Sequence, residues 1–313
     1  AWPPPIPGLA EAEPWTSREA TTSRHVPSRL LVLGGGVAGV ELAQAYASLG
    51  SVVTIVESGP RVLAREEPFA GEELCVALRE DGVRLLTDVE AASVQRPTAG
   101  GEVTLTLDDG RELAGDELLV AVGRRPATGT LGLETIGLEP GEYLPVDERM
   151  RVDGHPWLFA IGDVNGRSLL THMGKYQARV ASIVIDGADA RATQDGTGSP
   201  RVIFTDPQVA AVGMTEEVAR DAGLEVRTVA YPTAGTAGSS FVGRATRGTA
   251  QIVIDTARDV VVGATFVGFE VGEWLQAATI AVVGEVPIER LWDCVPVFPS
   301  RSEVWLRLLE AAE

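Results

Sequence analysis

The 313-residue chain has a single lysine, Lys175, among its 26 basic residues, against 44 acidic ones. Its net charge of −18 excludes a nucleic-acid surface, which requires Lys and Arg clustered on one face. The near-exclusive use of arginine, beside abundant alanine, reads as a GC-rich coding bias without chemical meaning. Cysteine is as scarce. Cys75 and Cys294 are the two present, neither in a C-x-x-C pair, so the chain has no local redox dithiol and no zinc knuckle. Cys75 falls in an amphipathic helical stretch, 72–81, where it reads as a small core residue. His25, His155 and His172 are the only histidines, so no His-based metal site is expected. Every apolar run is broken by Glu, Asp or Gly short of the ~18 residues a membrane helix needs. The first fifteen residues, AWPPPIPGLAEAEPW, lack the basic and apolar regions of a signal peptide. These absences predict a cytoplasmic protein that binds neither metal, nucleic acid nor membrane.

The 45% apolar content leaves ample material for cores, and the length points to two or three units. Residues 29–57, RLLVLGGGVAGVELAQAYASLGSVVTIVE, are the most informative. A strand over 29–33 runs into Gly34-x-Gly36-x-x-Gly39, then a helix, then a strand ending at Glu57. This is the dinucleotide-binding fingerprint in its required strand–turn–helix context. Gly34 permits the tight turn, Gly36 lets backbone approach a pyrophosphate, and Gly39 lets helix pack on strand. The free N–H groups at the start of that helix then face the diphosphate. Glu57 is spaced as the acid that holds a ribose diol. Arg61 and Arg65 follow it and are placed to meet a 2′-phosphate, but Glu57 repels one, so NADH is favoured over NADPH.

Residues 1–28 read as an arm or linker. From 29 to 125 the pattern alternates strand and helix, with a helix over 66–81 and a strand over 83–86. Segments 102–107 and 116–122 flank Asp108-Asp109-Gly110, a hairpin signal. A helix is expected over 173–186. Beyond a polar, Gly-rich break at 193–199, strands are expected at 202–205, 209–212, 226–231, 249–255 and 260–267, with helices at 271–283 and 303–312. The fold class is thus α/β with a Rossmann-like unit, followed by an α+β unit with a largely antiparallel sheet.

Four segments in order, GGGVAGVE, VAVGRRP, LFAIGDVNG and VIFTDPQVAAVGMTEEVA, resemble the pyridine nucleotide–disulfide oxidoreductases, a flavoprotein family that includes dihydrolipoamide dehydrogenase and mercuric reductase. The resemblance implies an NAD(P)H-binding domain at 29–125, a returning part of an FAD-binding domain at 126–195, and a dimerisation domain at 200–313. Residues 1–28 would then be a linker or remnant of the FAD domain. It also implies cofactor contacts at Gly34, Gly36, Val37, Gly39, Glu57, Gly123, Arg124, Gly162, Asp163, Thr171 and His172. Asp163 would bond the ribityl or phosphate part of FAD. The helix opening at Thr171 and His172 would point at the flavin, where a helix N-terminus stabilises negative charge. Val37 stands where several relatives place a gating tyrosine. Glu41 and His172 are the candidate catalytic residues, each with a plain alternative as a solvated or capping side chain.

Two departures set limits. Nothing corresponds to the family's opening FAD segment with its own GxGxxG and, in disulfide reductases, a C-x4-C pair. At the far end, Phe298-Pro299-Ser300-Arg301-Ser302-Glu303 aligns with the family's His-Pro-Thr-x-Ser-Glu, so Phe298 replaces the acid–base histidine. Phenylalanine moves no proton. Glu303 then reads as the far half of a Ser300-x-x-Glu303 capping box. The expected function is an FAD-dependent NAD(P)H oxidoreductase, or a fragment of one. It would pass hydride from nicotinamide to flavin and on to a small non-disulfide acceptor such as a quinone, as a homodimer. Two alternatives stay open. One is a dinucleotide-binding, dimerising module without flavin; the other is a disulfide reductase whose cysteine pair lies in the missing segment.

Overall fold

The computed structural model describes residues 4–243 and 247–313. Helix α1 (Ser17–Thr22) precedes strand β1 (Arg29–Leu33), helix α2 (Val37–Ser48), β2 (Val52–Val56), α3 (Pro68–Glu80) and β3 (Arg84–Leu86). A three-stranded excursion follows, β4 (Ala91–Gln95), β5 (Val103–Leu107) and β6 (Glu112–Gly115), before the chain returns as β7 (Glu117–Val120). Strands β3-β2-β1-β7 form a four-stranded parallel sheet, while β4-β5-β6 form an antiparallel meander.

β1 shows why this sheet is buried on both faces. Leu30 and Val32 join the core under α2 and α3, with Val40, Ala43, Leu74 and Leu78. The alternate residues Leu31 and Leu33 join Val103, Leu105 and Val120 beneath the meander. A parallel strand covered on both sides reads as an unbroken apolar run, as RLLVL does. The expected hairpin is real at its turn but has a different second strand. β5 pairs with β6, whereas 117–120 crosses into the parallel sheet beside β1. The apolar run LLV suits that two-sided burial better than a hairpin edge.

Residues 4–28, expected as an arm, are sewn to this unit; residues 1–3 of that stretch lie outside the described chain. Leu9 and Ala12 are buried in the meander core. Trp15 donates its N–H to Leu118 and accepts from Val120, both at 2.8 Å. Thr16 and Glu19 close a capping box over α1.

Next come a short hairpin, β8 (Arg151–Val152) and β9 (His155–Phe159), a 3₁₀ turn at Gly162–Asn165, and helix α4 (Thr171–Ile185). The C-terminal unit comprises β10 (Arg201–Ile203), β11 (Gln208–Gly213), α5 (Glu216–Asp221), β12 (Val226–Pro232), β13 (Thr249–Asp255), β14 (Val260–Gly268), α6 (Leu275–Val283), α7 (Ile288–Trp292) and α8 (Val304–Glu310). Its strands form one antiparallel sheet, β10-β11-β14-β13-β12, as expected for this unit. All nine residues of central β14 are buried, and Phe266 meets Trp274 and Trp305 edge-on. Val304, Leu308 and Leu309 of α8 enter this same core. Among the described residues of this unit, the exposed apolar side chains include Ile280 on α6, the loop residues Val295, Val297 and Phe298, and also Phe204, Phe241 and Phe269.

Among the described residues no helix is long and apolar enough to cross a membrane, and no His, Cys, Asp and Glu cluster suited to a metal occurs.

Candidate functional site

The glycine-rich turn lies at the carboxyl end of β1, where open α/β sheets bind their ligands. Gly34 has φ +104°, and a Cβ there would come within 2.8 Å of the Ala121 carbonyl oxygen. A Cβ on Gly39 would lie 2.0 Å from the Gly34 carbonyl oxygen, so helix and turn touch through bare backbone. Gly36, the N-cap of α2, differs: a Cβ there meets nothing within 4 Å. The side chain is therefore absent where open space begins. No side chain caps α2, leaving its first N–H groups free for a ligand. Free donors, a helix dipole and a cleared approach together fit a dinucleotide pyrophosphate.

Glu57 follows β2 and faces this turn. Its carboxylate accepts the Gly35 N–H at 2.6 Å and the Gly59 N–H at 2.7 Å. Each oxygen keeps acceptor capacity for ribose hydroxyls. Arg61 is turned into its own loop, donating to the Leu63 and Ala64 carbonyls. Val37 opens α2 and is exposed.

Beyond β7 the chain passes Val122 and Gly123 (φ +153°) to Arg124, whose guanidinium meets the Asp163 carboxylate at 2.9 Å. Ala121 and Val122 line the Gly34 turn, so one short segment joins the dinucleotide turn to the 162–165 turn. Gly162 has φ +73°, and Asp163 is exposed beside the start of α4. α4 also begins without a side-chain cap. An exposed acid at a left-handed glycine, next to free helix N–H groups, suits the polar part of a flavin nucleotide. These residues supply one wall of such a site.

The two candidate catalytic side chains are both engaged. Glu41 accepts the Phe204 N–H at 2.8 Å, and beside it Gln44 exchanges two hydrogen bonds with the backbone of Asp206. His172 donates from Nε2 to the Pro200 carbonyl at 2.8 Å. Phe298, which stands at the position of the family's acid–base histidine, is exposed. Glu303 is buried and accepts the Ser300 N–H at 3.2 Å, the capping contact expected of it.

Sequence reasoning missed Asn165, Gln177 and Asp195. Gln177 and Asp195 are fully buried and bonded to each other at 2.8 Å behind the 162–165 turn. The available signal was Gln177 itself, a polar residue on the apolar stripe of Met173, Val180 and Val184. Two carboxyls against the C-terminal unit were also missed. Burial pushes Glu67 up, and it accepts the Glu216 N–H. Burial likewise pushes Glu73 up, and it accepts the Thr249 hydroxyl at 2.5 Å.

Fold and site together define a dinucleotide-binding α/β unit, carrying a second nucleotide-type turn, followed by an antiparallel interface-type unit. The chain belongs to the pyridine nucleotide-disulphide oxidoreductase family, whose model matches residues 1–183, while the family's dimerisation domain matches 199–309. Members of this family are FAD-dependent and use NAD(P)H. The chain is 36% identical to a mercuric reductase of Acidithiobacillus ferrooxidans over 96% of its own length and 54% of the relative's. It is 34% identical to a dihydrolipoyl dehydrogenase of Thermus scotoductus, over 99% of its length and 67% of the relative's. It thus spans about half to two thirds of these curated relatives. The HOCl-induced flavoprotein disulfide reductase RclA of Escherichia coli superposes with TM-score 0.88 at 28% identity, over 100% of this chain and 72% of that one. LpdA of Mycobacterium tuberculosis superposes with TM-score 0.84 at 30% identity, over 95% and 64%.

Proposed function

We propose that this chain is the NAD(P)H-binding and dimerising portion of an FAD-dependent oxidoreductase, and that it supplies one wall of the flavin site. The observation that carries this is the segment 121–124. It abuts the Gly34 turn at one end and pairs Arg124 with Asp163 at the other, so two nucleotide turns share one short connection. Residues 29–125, 126–195 and 200–313 then act as the NAD(P)H unit, the returning FAD unit and the dimerisation unit.

Gly36 and the first N–H groups of α2 hold the pyrophosphate, and Glu57 accepts the ribose hydroxyls. Val37 leaves the nicotinamide face uncovered. Asp163 accepts from ribityl hydroxyls, and the α4 N-terminus at Thr171 and His172 favours negative charge beside it. Bound FAD supplies the two-electron centre between NAD(P)H and the acceptor. Glu41 stands one turn into α2 and orients the nicotinamide side of the cleft through Phe204. A homodimer is favoured by the exposed apolar residues Val295, Val297, Phe298 and Ile280 on the unit that matches a dimerisation domain.

The named relatives favour a disulfide or mercuric-type acceptor over the quinone expected from the sequence. That acceptor needs a cysteine pair from outside these residues, since Cys75 is buried and Cys294 stands alone. The family's FAD dependence weighs against the flavin-free module. The quinone reading keeps one specific support, Phe298 in place of an acid–base histidine. The deciding assay follows NADH oxidation by the flavin-loaded protein with a disulfide, with Hg(II) and with a quinone as separate acceptors. Turnover with disulfide or Hg(II) supports the first reading. Turnover with quinone alone supports the second, and NADH binding without any turnover refutes both.

A further inference from the structure

The strongest unassigned feature is a closed ring of polar groups behind the Gly162–Asn165 turn. The Gly162 N–H donates to Gln177 Oε1 at 2.7 Å. The same oxygen accepts from Asn165 Nδ2 at 2.9 Å, and that nitrogen also donates to the Ala160 carbonyl. Gln177 Nε2 donates to Asp195 Oδ2 at 2.8 Å. Asp195 Oδ1 pairs with the Arg167 guanidinium at 2.7 Å. The Arg167 N–H closes the ring onto Asn165 Oδ1 at 3.0 Å.

The amide orientations in this ring follow from groups with one possible role. A backbone N–H only donates and a carbonyl only accepts, so Gly162 and Ala160 dictate that Gln177 turns its oxygen, and Asn165 its nitrogen, toward the turn. The two ends of a carboxamide have nearly the same shape, so packing alone does not choose between them. An anionic acceptor on the far side does choose, because hydrogen bonds to charged groups are roughly twice as strong as neutral ones. Asp195 is fully buried, and its charge is balanced by Arg167. It is therefore suited to one task, holding the Gln177 nitrogen inward and its oxygen on the Gly162 N–H.

We propose that Gln177 and Asp195 are positioning residues for the flavin-binding turn. Asp195 sets the orientation of the Gln177 amide, and Gln177 holds Gly162 in the left-handed conformation that presents Asp163. This inference rests on the flavin reading given above. Asp195 also lies in the polar, Gly-rich break at 193–199. That segment is fastened on both sides, with the Gly213 N–H on the Thr197 carbonyl and Ser168 on Ser199.

The test uses the FAD-loaded protein that contains this chain. Asp195→Asn and Gln177→Glu each disturb the donor–acceptor polarity, the second by setting two carboxylates face to face. Each is expected to raise the FAD dissociation constant about tenfold or more and to speed amide exchange at Gly162. Both should leave NADH affinity unchanged, because the ring touches no part of the Gly34 turn. The double variant Gln177→Glu/Asp195→Asn again places an acceptor toward Gly162 and a donor opposite. It should recover FAD affinity and Gly162 protection relative to Gln177→Glu alone. A ring acting only as packing makes the double variant at least as poor as the worse single, and that result overturns the proposal. Wild-type FAD affinity and Gly162 exchange in both singles also overturn it. If the unsubstituted protein retains no FAD, the flavin reading itself fails, and this inference with it.

Discussion

Gly36 and Gly39 share one helix turn, yet the structure gives them opposite reasons for being glycine. At Gly39 a methyl would sit 2.0 Å from the Gly34 carbonyl oxygen and 3.0 Å from its carbon. Both are backbone atoms, so relief requires α2 to move off β1, which disturbs the packing of Val40 and Ala43. Overpacking of this kind costs about 1–3 kcal/mol, and a clash with immobile backbone belongs at the upper end. At about 2–4 °C per kcal/mol for units of this size, Gly39→Ala should melt roughly 6–12 °C below wild type. At Gly36 a methyl meets nothing, and φ −74° suits alanine. Losing glycine at an N-cap costs up to about 1 kcal/mol. Gly36→Ala should therefore melt within about 4 °C of wild type, yet its methyl would fill the space left for the pyrophosphate and weaken NADH at least about tenfold, or ~1.4 kcal/mol. Thermal melts and fluorescence titration with NADH separate the two effects. Gly36→Ala binding NADH like wild type, or Gly39→Ala melting like it, would refute the reasoning.

Three further outcomes are expected. Glu57→Ala strips the acceptor from the Gly35 and Gly59 N–H groups, costing about 1–3 kcal/mol. It should weaken NADH more than NADPH, and titration with both dinucleotides checks the ratio. Arg201 holds the buried Glu66 through two bonds of 2.7 and 2.8 Å across to the C-terminal unit, so Arg201→Ala should cost about 3–5 kcal/mol in denaturant unfolding. Glu66→Leu/Arg201→Met should restore much of that loss. Because burial raises Glu67 and Glu73 above the ordinary value of 4.5, the folded chain holds these protons more tightly than the unfolded one. Their contribution is present in full below that value and is lost as pH rises through the raised folded values. Glu73→Gln should therefore gain in melting temperature over wild type as pH rises, and a pH-independent difference would contradict this.

The fingerprint was legible because its chemistry is local. Gly34, Gly36, Gly39 and Glu57 act through spacing, and β1 declared its two-sided burial through an unbroken apolar run. The antiparallel sheet was legible for the same reason, each strand being a local run of apolar and β-branched residues. What escaped depended on partners far along the chain. The run at 117–120 looked like a hairpin strand until β1 stood beside it. Trp15 looked like part of an arm until Leu118 and Val120 supplied its hydrogen bonds. Glu41 was placed by sequence toward the cofactor, and only the fold brings the Phe204 N–H to its carboxylate. The ring of Asn165, Gln177 and Asp195 joins a 3₁₀ turn, helix α4 and an irregular segment, and only Gln177 lay on a readable period.

The most direct test is the visible absorption of the FAD-supplied protein before and after anaerobic addition of NADH. The account predicts a retained flavin band that bleaches with NADH, and a much weaker response in Gly36→Ala. A protein that retains no flavin, or whose flavin band stays unchanged although NADH binds, would contradict it.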